Sequence, residues 1–286
     1  MKTGLTIAGS DSGGGAGIQA DIKTMTMYGV FATSAITALT AQNTTGVFGV
    51  WETPPEVLES QLDCIFTDMR PDAVKIGMLP SEESIRITAE RLKRYQAAHM
   101  VLDPVMASTS GSVFMKEQTV KALKEQLFPL AEVVTPNLSE AEALTGMRIQ
   151  GKGDMEKAAG RIYEDWHCAV LLKGGHLREN ADDLLYRKGR AFWLPGRRID
   201  NPNTHGTGCT LSSAIASGLA LGMELCEAVI QAKRYLTGAL EQRLNLGMGN
   251  GPLDHMYSMR NGLWKKTGEM GCMQTKIETR ERKVKI

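Results

Sequence analysis

The run Asn203-Thr204-His205-Gly206-Thr207-Gly208-Cys209 packs small and polar residues together, and from Thr210 the chain turns abruptly apolar and helical. Glycines entering a helix leave backbone N–H groups without partners. Those donors and the helix macrodipole attract anions. A phosphoryl group in transfer spreads negative charge over its oxygens, so Gly206, Thr207, Gly208 and Cys209 form a candidate anion hole. The same field lowers the pKa of a thiol in the first turn. Cys209 could then act as a thiolate base toward a substrate hydroxyl. The alternative is a small buried side chain where a glycine turn meets a helix.

A second chemical stretch is Ser10-Asp11-Ser12-Gly13-Gly14-Gly15-Ala16-Gly17. Glycine removes the Cβ obstacle and lets backbone approach a small molecule closely. The plainer reading is a tight strand-to-helix turn. Two look-alikes are set aside. Gly15-Ala16-Gly17-Ile18-Gln19-Ala20 is a loose dinucleotide-binding pattern, but Thr40-Ala41-Gln42-Asn43 stands where its acidic partner is expected. The stretch from Gly146 to Gly153 has P-loop spacing, yet Gly153 replaces the Ser/Thr that holds magnesium, and the run follows a helix.

These residues need elements to position them. Apolar runs predict strands at 3–9, 33–40, 73–78, 100–106, 131–137 and 169–175, with a hairpin around Lys188-Gly189. Helices are predicted at 17–29, from Pro54-Pro55 through about Met69, at 81–96 with Ser81 as cap, near 139–145 and 154–166, and from Gly208 and Leu225. Strands alternating with helices imply a mainly parallel sheet, and functional groups in such sheets gather at the carboxyl ends of strands. Asp11, Gln42, Met78, Asp103, Asn137 and Lys173 all fall at such ends.

The bulk properties narrow the class. The chain has 286 residues and a net charge of +1, which gives no electrostatic case for a nucleic-acid or membrane partner. No run of about 18 apolar residues and no apolar leader is present, so a cytoplasmic protein is expected. The 5 cysteines are odd in number and widely spaced, as reduced thiols are. Apart from Cys209 they read as small buried hydrophobes. Residues 1–266 are read as one domain and 267–286 as a basic, poorly ordered tail. The loop 107–115 is a candidate cover for the site.

The order of the motifs closely resembles the ribokinase superfamily, and within it the hydroxymethylpyrimidine and hydroxymethylpyrimidine-phosphate kinases of thiamine biosynthesis. The matching stretches are LTIAGSDSGGGAGIQADIKT, ITALTAQNT, KIGML, VLDPVM, VTPNLSEAEAL, LLKGGH, NTHGTGCTLSSAIA and GPLDHMY, over about residues 3–264. Sugar kinases of the superfamily usually carry an aspartate where Cys209 stands. The resemblance implies an α/β fold, a ribokinase-like αβα sandwich with a central, mostly parallel sheet of about eight or nine strands. It also implies ATP and Mg2+ as cofactors, a small-molecule substrate and a homodimer.

Roles follow from the same resemblance. Cys209 takes the proton of a hydroxymethyl group, and the amides of Gly206, Thr207, Gly208 and Cys209 make the anion hole. Gln42 reads the aminopyrimidine, because a side-chain amide offers a donor and an acceptor to a ring nitrogen beside an exocyclic amine. Related pyridoxal kinases tend to lack this glutamine, so pyridoxine, pyridoxal or pyridoxamine is the alternative substrate. Gly9, Asp11, Met78 and Val105 resemble the remaining pocket wall. Asp103 and Glu140 are the metal candidates, where a magnesium ion with retained waters could sit near phosphates. Lys173 and Asn137 belong to the nucleotide side. A lysine ending an apolar strand needs an anionic partner. His205 and His176 are left out of the catalytic set, since a histidine beside a glycine loop is more often a hydrogen-bonding spacer.

Overall fold

In the computed structural model of the chain, residues 1–106, 115–175 and 181–260 are described. The loop at 107–114, His176 and the tail at 267–286 lie outside them. Among the described residues nine strands form one sheet: β1 (Thr3–Asp11), β2 (Phe31–Asn43), β3 (Gly46–Glu52), β4 (Ala73–Ile76), β5 (Met100–Leu102), β6 (Val133–Val134), β7 (Ala169–Leu172), β8 (Asp183–Arg187) and β9 (Arg190–Leu194). Their spatial order is β3-β2-β1-β4-β5-β6-β7-β8-β9. Pairing is parallel from β2 through β7. Antiparallel strands close both edges.

The long helices are α1 (Gly17–Met27), α2 (Pro55–Asp68), α3 (Glu82–Arg94), α4 (Glu117–Gln126), α5 (Leu138–Thr145), α6 (Lys152–Trp166), α7 (Thr207–Ala220) and α8 (Leu225–Glu241), before a single turn α9 (Tyr257–Arg260). The strand period of two sorts the core into two layers. Leu102, Val134, Val170, Leu172 and Leu184 face a cluster with α2 to α6. Their neighbours Val101, Val133, Ala169, Leu171 and Leu185 face α7 and α8. The layered αβα sandwich expected from the motifs is therefore observed. Among the described residues, no helix is long and apolar enough to cross a membrane.

Local chemistry explains most boundaries. Ser81 caps α3 in a reciprocal box with Ser84. Lys188 and Gly189 both take positive φ, 48° and 70°, as a two-residue hairpin requires. β5 and β6 are shorter than expected, because Pro104 and Pro136 lack the N–H that would continue the ladders. Two elements escaped the pattern. β3 lies at an edge with Phe48 71% and Trp51 61% exposed, so it lacks an inside-outside alternation. α4 buries only Thr119, Ala122 and Leu123. The glycine-flanked run at 146–153 spans the α5–α6 connection and the start of α6, with Gly146 ending one helix, Gly151 capping the next and Gly153 already helical.

Candidate active site

The two glycine loops are pressed together. Gly206 starts α7 at φ 84°, and a Cβ there would lie 1.8 Å from the Gly15 carbonyl oxygen. Gly17 has φ 56°, and its Cβ would lie 2.2 Å from the Gly9 carbonyl oxygen. Both positions need glycine for conformation and for space. Among the described residues no side chain caps α7. The Thr207 amide, expected in the anion hole, instead donates to the Thr204 carbonyl at 3.3 Å, which leaves the Gly208 and Cys209 amides to meet an anion. A Cβ on Gly208 would approach Asp103 Oδ2 at 3.2 Å and Lys173 Nζ at 3.4 Å. The amide end of α7 therefore borders the Asp103–Lys173 pair.

That pair is set by β5 and β7. Asp103 is buried; its Oδ1 accepts from Lys173 Nζ at 2.9 Å and from Thr135 Oγ1 at 3.0 Å. The Lys173 side chain is 17% exposed. Burial works against its charge, but Asp103 and Glu140 outweigh burial and raise its pKa above the ordinary lysine value. Asn137 caps α5, with its Oδ1 accepting from the Glu140 amide at 2.9 Å while Glu140 Oε2 accepts from the Asn137 amide at 2.7 Å. Burial pushes the Glu140 carboxyl up to about 7, Asp103 adding to the effect and Lys173 opposing it. Asp103, Glu140, Lys173 and Asn137 are thus brought together.

Cys209 stands in the first turn of α7. The expected depression of its thiol pKa is overturned: burial pushes it up to about 11. Lys75 and the Gly17 backbone N–H pull the other way. Desolvation exceeds the charges arranged around the sulfur. Lys75 was missed in the sequence. It lies fully buried in β4 and pairs with Asp21 at 2.8 Å. Asp21 also accepts from Thr6 at 2.6 Å and from Ser213, one turn beyond Cys209, at 2.5 Å. The signal was available, since Lys75 interrupts the apolar run Ala73-Val74-Lys75-Ile76 just as Lys173 ends another. The other described cysteines divide: Cys168 is buried as expected, whereas Cys226 is intermediate and Cys64 exposed.

The residues expected to wall a substrate pocket come from four strands: Gly9 and Asp11 from β1, Gln42 from β2, Met78 from just beyond β4 and Val105 from just beyond β5. Met78 is 8% exposed, and its Cε would lie 2.6 Å from a Cβ on Gly9. Gly9 thus leaves room for the thioether. Val105 is partly exposed just beyond Asp103. Asp11 is turned to its own loop. Its Oδ1 accepts from the Gly13 amide at 2.8 Å, and its Oδ2 from Gly15 at 3.0 Å and Ala16 at 2.8 Å. Oδ2 also meets His205 Nε2 at 2.9 Å. Burial opposes the charge, but His205 and the amides bring Asp11 below the ordinary carboxylate range. Gln42 is held by backbone contacts to Ser12 and lies with its amide nitrogen 3.3 Å from His205 Nε2.

Known proteins share this arrangement's sequence and fold. The family profile described as phosphomethylpyrimidine kinase matches residues 11–254. A hydroxymethylpyrimidine/phosphomethylpyrimidine kinase of Rhizobium meliloti is 49% identical over 257 residues, covering 88% of this chain and 96% of that protein. The crystal structure of a phosphomethylpyrimidine kinase from Clostridium difficile superposes with a TM-score of 0.75 at 44% identity, over 83% of this chain and 98% of that one. A Bacillus subtilis pyridoxal kinase, solved as an ADP complex, superposes with a TM-score of 0.85 at 38% identity, over 91% and 99%. Shape alone thus brings in both kinds of vitamin kinase, whereas the family profile, spanning most of the chain, selects one. The chain belongs to the phosphomethylpyrimidine kinase family.

Proposed function

We propose that this protein transfers the γ-phosphoryl group of ATP to 4-amino-5-hydroxymethyl-2-methylpyrimidine, and then a second phosphoryl group to the monophosphate, for thiamine biosynthesis. The observation that carries the reading is the meeting of Cys209, the uncapped start of α7 and the Asp103–Lys173 pair at one place. The α7 amides and Lys173 hold the transferring phosphoryl group while its P–O bond to ADP breaks. In the first step the hydroxymethyl oxygen attacks, and its proton passes to the sulfur of Cys209 in its thiolate form. In the second step the acceptor is already an anion and needs no such base.

Magnesium fits the donor set. Asp103 and Glu140 are two buried carboxylates set against the ammonium of Lys173. Among the described residues, no group of three or more His, Cys, Asp or Glu forms a protein-only cage. Mg2+ binds through one or two carboxylates together with phosphates and waters, so Asp103 and Glu140 are the residues that would hold it. When bound, it neutralises charge on the phosphates.

Cys209→Ala tests the assignment. The first phosphorylation is expected to fall by ~10²–10⁴-fold, with the second much less affected. Equal loss of both steps contradicts a base role. A pyridoxal kinase is the second reading, favoured by the higher TM-score of the Bacillus subtilis enzyme. Gln42 weighs against it, because pyridoxal has no amine beside a ring nitrogen for the amide to read. Assembly as a homodimer belongs to the same reading. Its support is the exposed apolar side chains at the β2–β3 edge: Leu39 and Trp51, cross-strand partners on one face, are 54% and 61% exposed, Val50 on the other face is 42% exposed, and Phe48 at the register shift is 71% exposed.

A further inference from the structure

Three side chains beside the substrate pocket set one another's hydrogens. Asp11 is the anchor. Three backbone amides of its loop already donate to its oxygens, and such donors hold a carboxylate ionised. An ionised oxygen 2.9 Å from His205 Nε2 requires a proton on that nitrogen. A lone pair there would face the carboxylate's own lone pairs. Nε2 therefore donates to Asp11 and cannot also accept from the Gln42 amide nitrogen at 3.3 Å. In that orientation two donors oppose each other.

A second conflict lies on the other side of the same amide. Thr40 has one hydroxyl hydrogen but faces two acceptors, the Ser10 carbonyl at 3.0 Å and Gln42 Oε1 at 3.2 Å. Rotating the Gln42 amide by half a turn resolves both conflicts. Oε1 then takes the minor share of the one Nε2–H that His205 gives mainly to Asp11, an attractive contact where two donors had opposed each other, and the amide nitrogen donates to Thr40 Oγ1, which keeps its bond to Ser10. An amide has two N–H bonds and two lone pairs. One of each is used inside the protein, and one of each points outward.

We propose that His205, oriented by Asp11, is a positioning residue that fixes the amide of Gln42 in one orientation and thereby sets which aminopyrimidine edge the pocket accepts. The outward lone pair lies on the His205 side and receives the exocyclic amine. The outward N–H lies on the Thr40 side and donates to the ring nitrogen. A ring that carries these groups in the reverse order meets donor against donor. The structure also keeps the imidazole in place: a Cβ on Gly15 would lie 2.5 Å from His205 Cδ2, and the His205 amide donates to the Gly251 carbonyl at 3.2 Å. This inference rests on the aminopyrimidine reading of Gln42.

The ring tautomer tests it without turnover. In 15N-histidine-labelled wild-type protein near neutral pH, His205, assigned by loss of its signal in His205→Gln, is expected to show a protonated Nε2. A bare Nε2 overturns the inference, even if the wild type phosphorylates hydroxymethylpyrimidine normally. In kinetics, His205→Ala is expected to raise KM for hydroxymethylpyrimidine roughly tenfold, the scale of one lost hydrogen bond. The effect on kcat is expected to be smaller, and the preference for the pyrimidine over pyridoxal to narrow. His205→Gln, which retains an N–H donor, is expected to recover part of that preference. An unchanged preference in His205→Ala overturns the inference. Wild-type protein that ignores hydroxymethylpyrimidine sinks the functional reading instead, and the tautomer result separates the two failures.

Discussion

Cys209 has two properties that pull apart. It sits where a helix start favours a thiolate, yet burial holds its thiol near 11. A base with that value is scarce at neutral pH but strong once ionised. The first phosphorylation is therefore expected to accelerate with pH, approaching tenfold per unit below about pH 10, because the thiolate fraction grows as pH rises toward the thiol's pKa. The second phosphorylation lacks that dependence, and Cys209→Ala is expected to flatten the profile of the first. Initial rates of each step across the pH range check this. A first step with the same profile as the second removes the thiolate from the mechanism. The neighbours at this scale divide by their partners: Lys173 pairs with Asp103, while Asp11 organises a loop with the same oxygen that meets His205.

The elements bring these groups together by close contact of glycine loops. Gly206 is the most constrained position, with φ 84° and the Gly15 carbonyl occupying the space a side chain would need. Gly206→Ala is expected to lower stability by more than ~1 kcal/mol and to abolish activity, because strain and clash add. Chemical denaturation and phosphoryl transfer measured on the same sample check it, and unchanged stability contradicts the fit. Much of this frame was legible in the sequence. The apolar runs, the Ser81 cap and the turn at Lys188-Gly189 each have a local physical cause. The clustering of Asp103, Asn137 and Lys173 followed from their places at strand ends, and that of Glu140 from its place three residues after Asn137, which the family resemblance implied. What stayed hidden depends on distant partners. Asp21 lies on α1, Lys75 on β4 and Ser213 on α7, and only the folded chain joins them. The direction of the Cys209 shift was misread for the same reason: the helix start is visible in sequence, but the burial that overrides it is not.

At the scale of the molecule, six parallel strands gather the candidate site at their carboxyl ends, and antiparallel strands extend the sheet on both sides. The extension through β3 exposes the cross-strand pair Leu39 and Trp51 on one face, with Phe48 exposed at the register shift. Adjacent exposed apolar side chains such as Leu39 and Trp51 mark association. Wild-type protein is expected to sediment as a dimer, and Trp51→Lys to shift it toward monomer without unfolding it. A wild-type monomer at micromolar concentration contradicts the proposed assembly while leaving the site unaffected.

The central claim is the identity of the acceptor. Phosphorus NMR of wild-type protein with Mg·ATP, supplied with hydroxymethylpyrimidine and with pyridoxal in parallel, tests it most directly. The account predicts a monophosphate and then a diphosphate of the pyrimidine, with little product from pyridoxal. A monophosphate from pyridoxal alone would contradict it, showing that Gln42 does not read an aminopyrimidine although the fold and the anion hole remain.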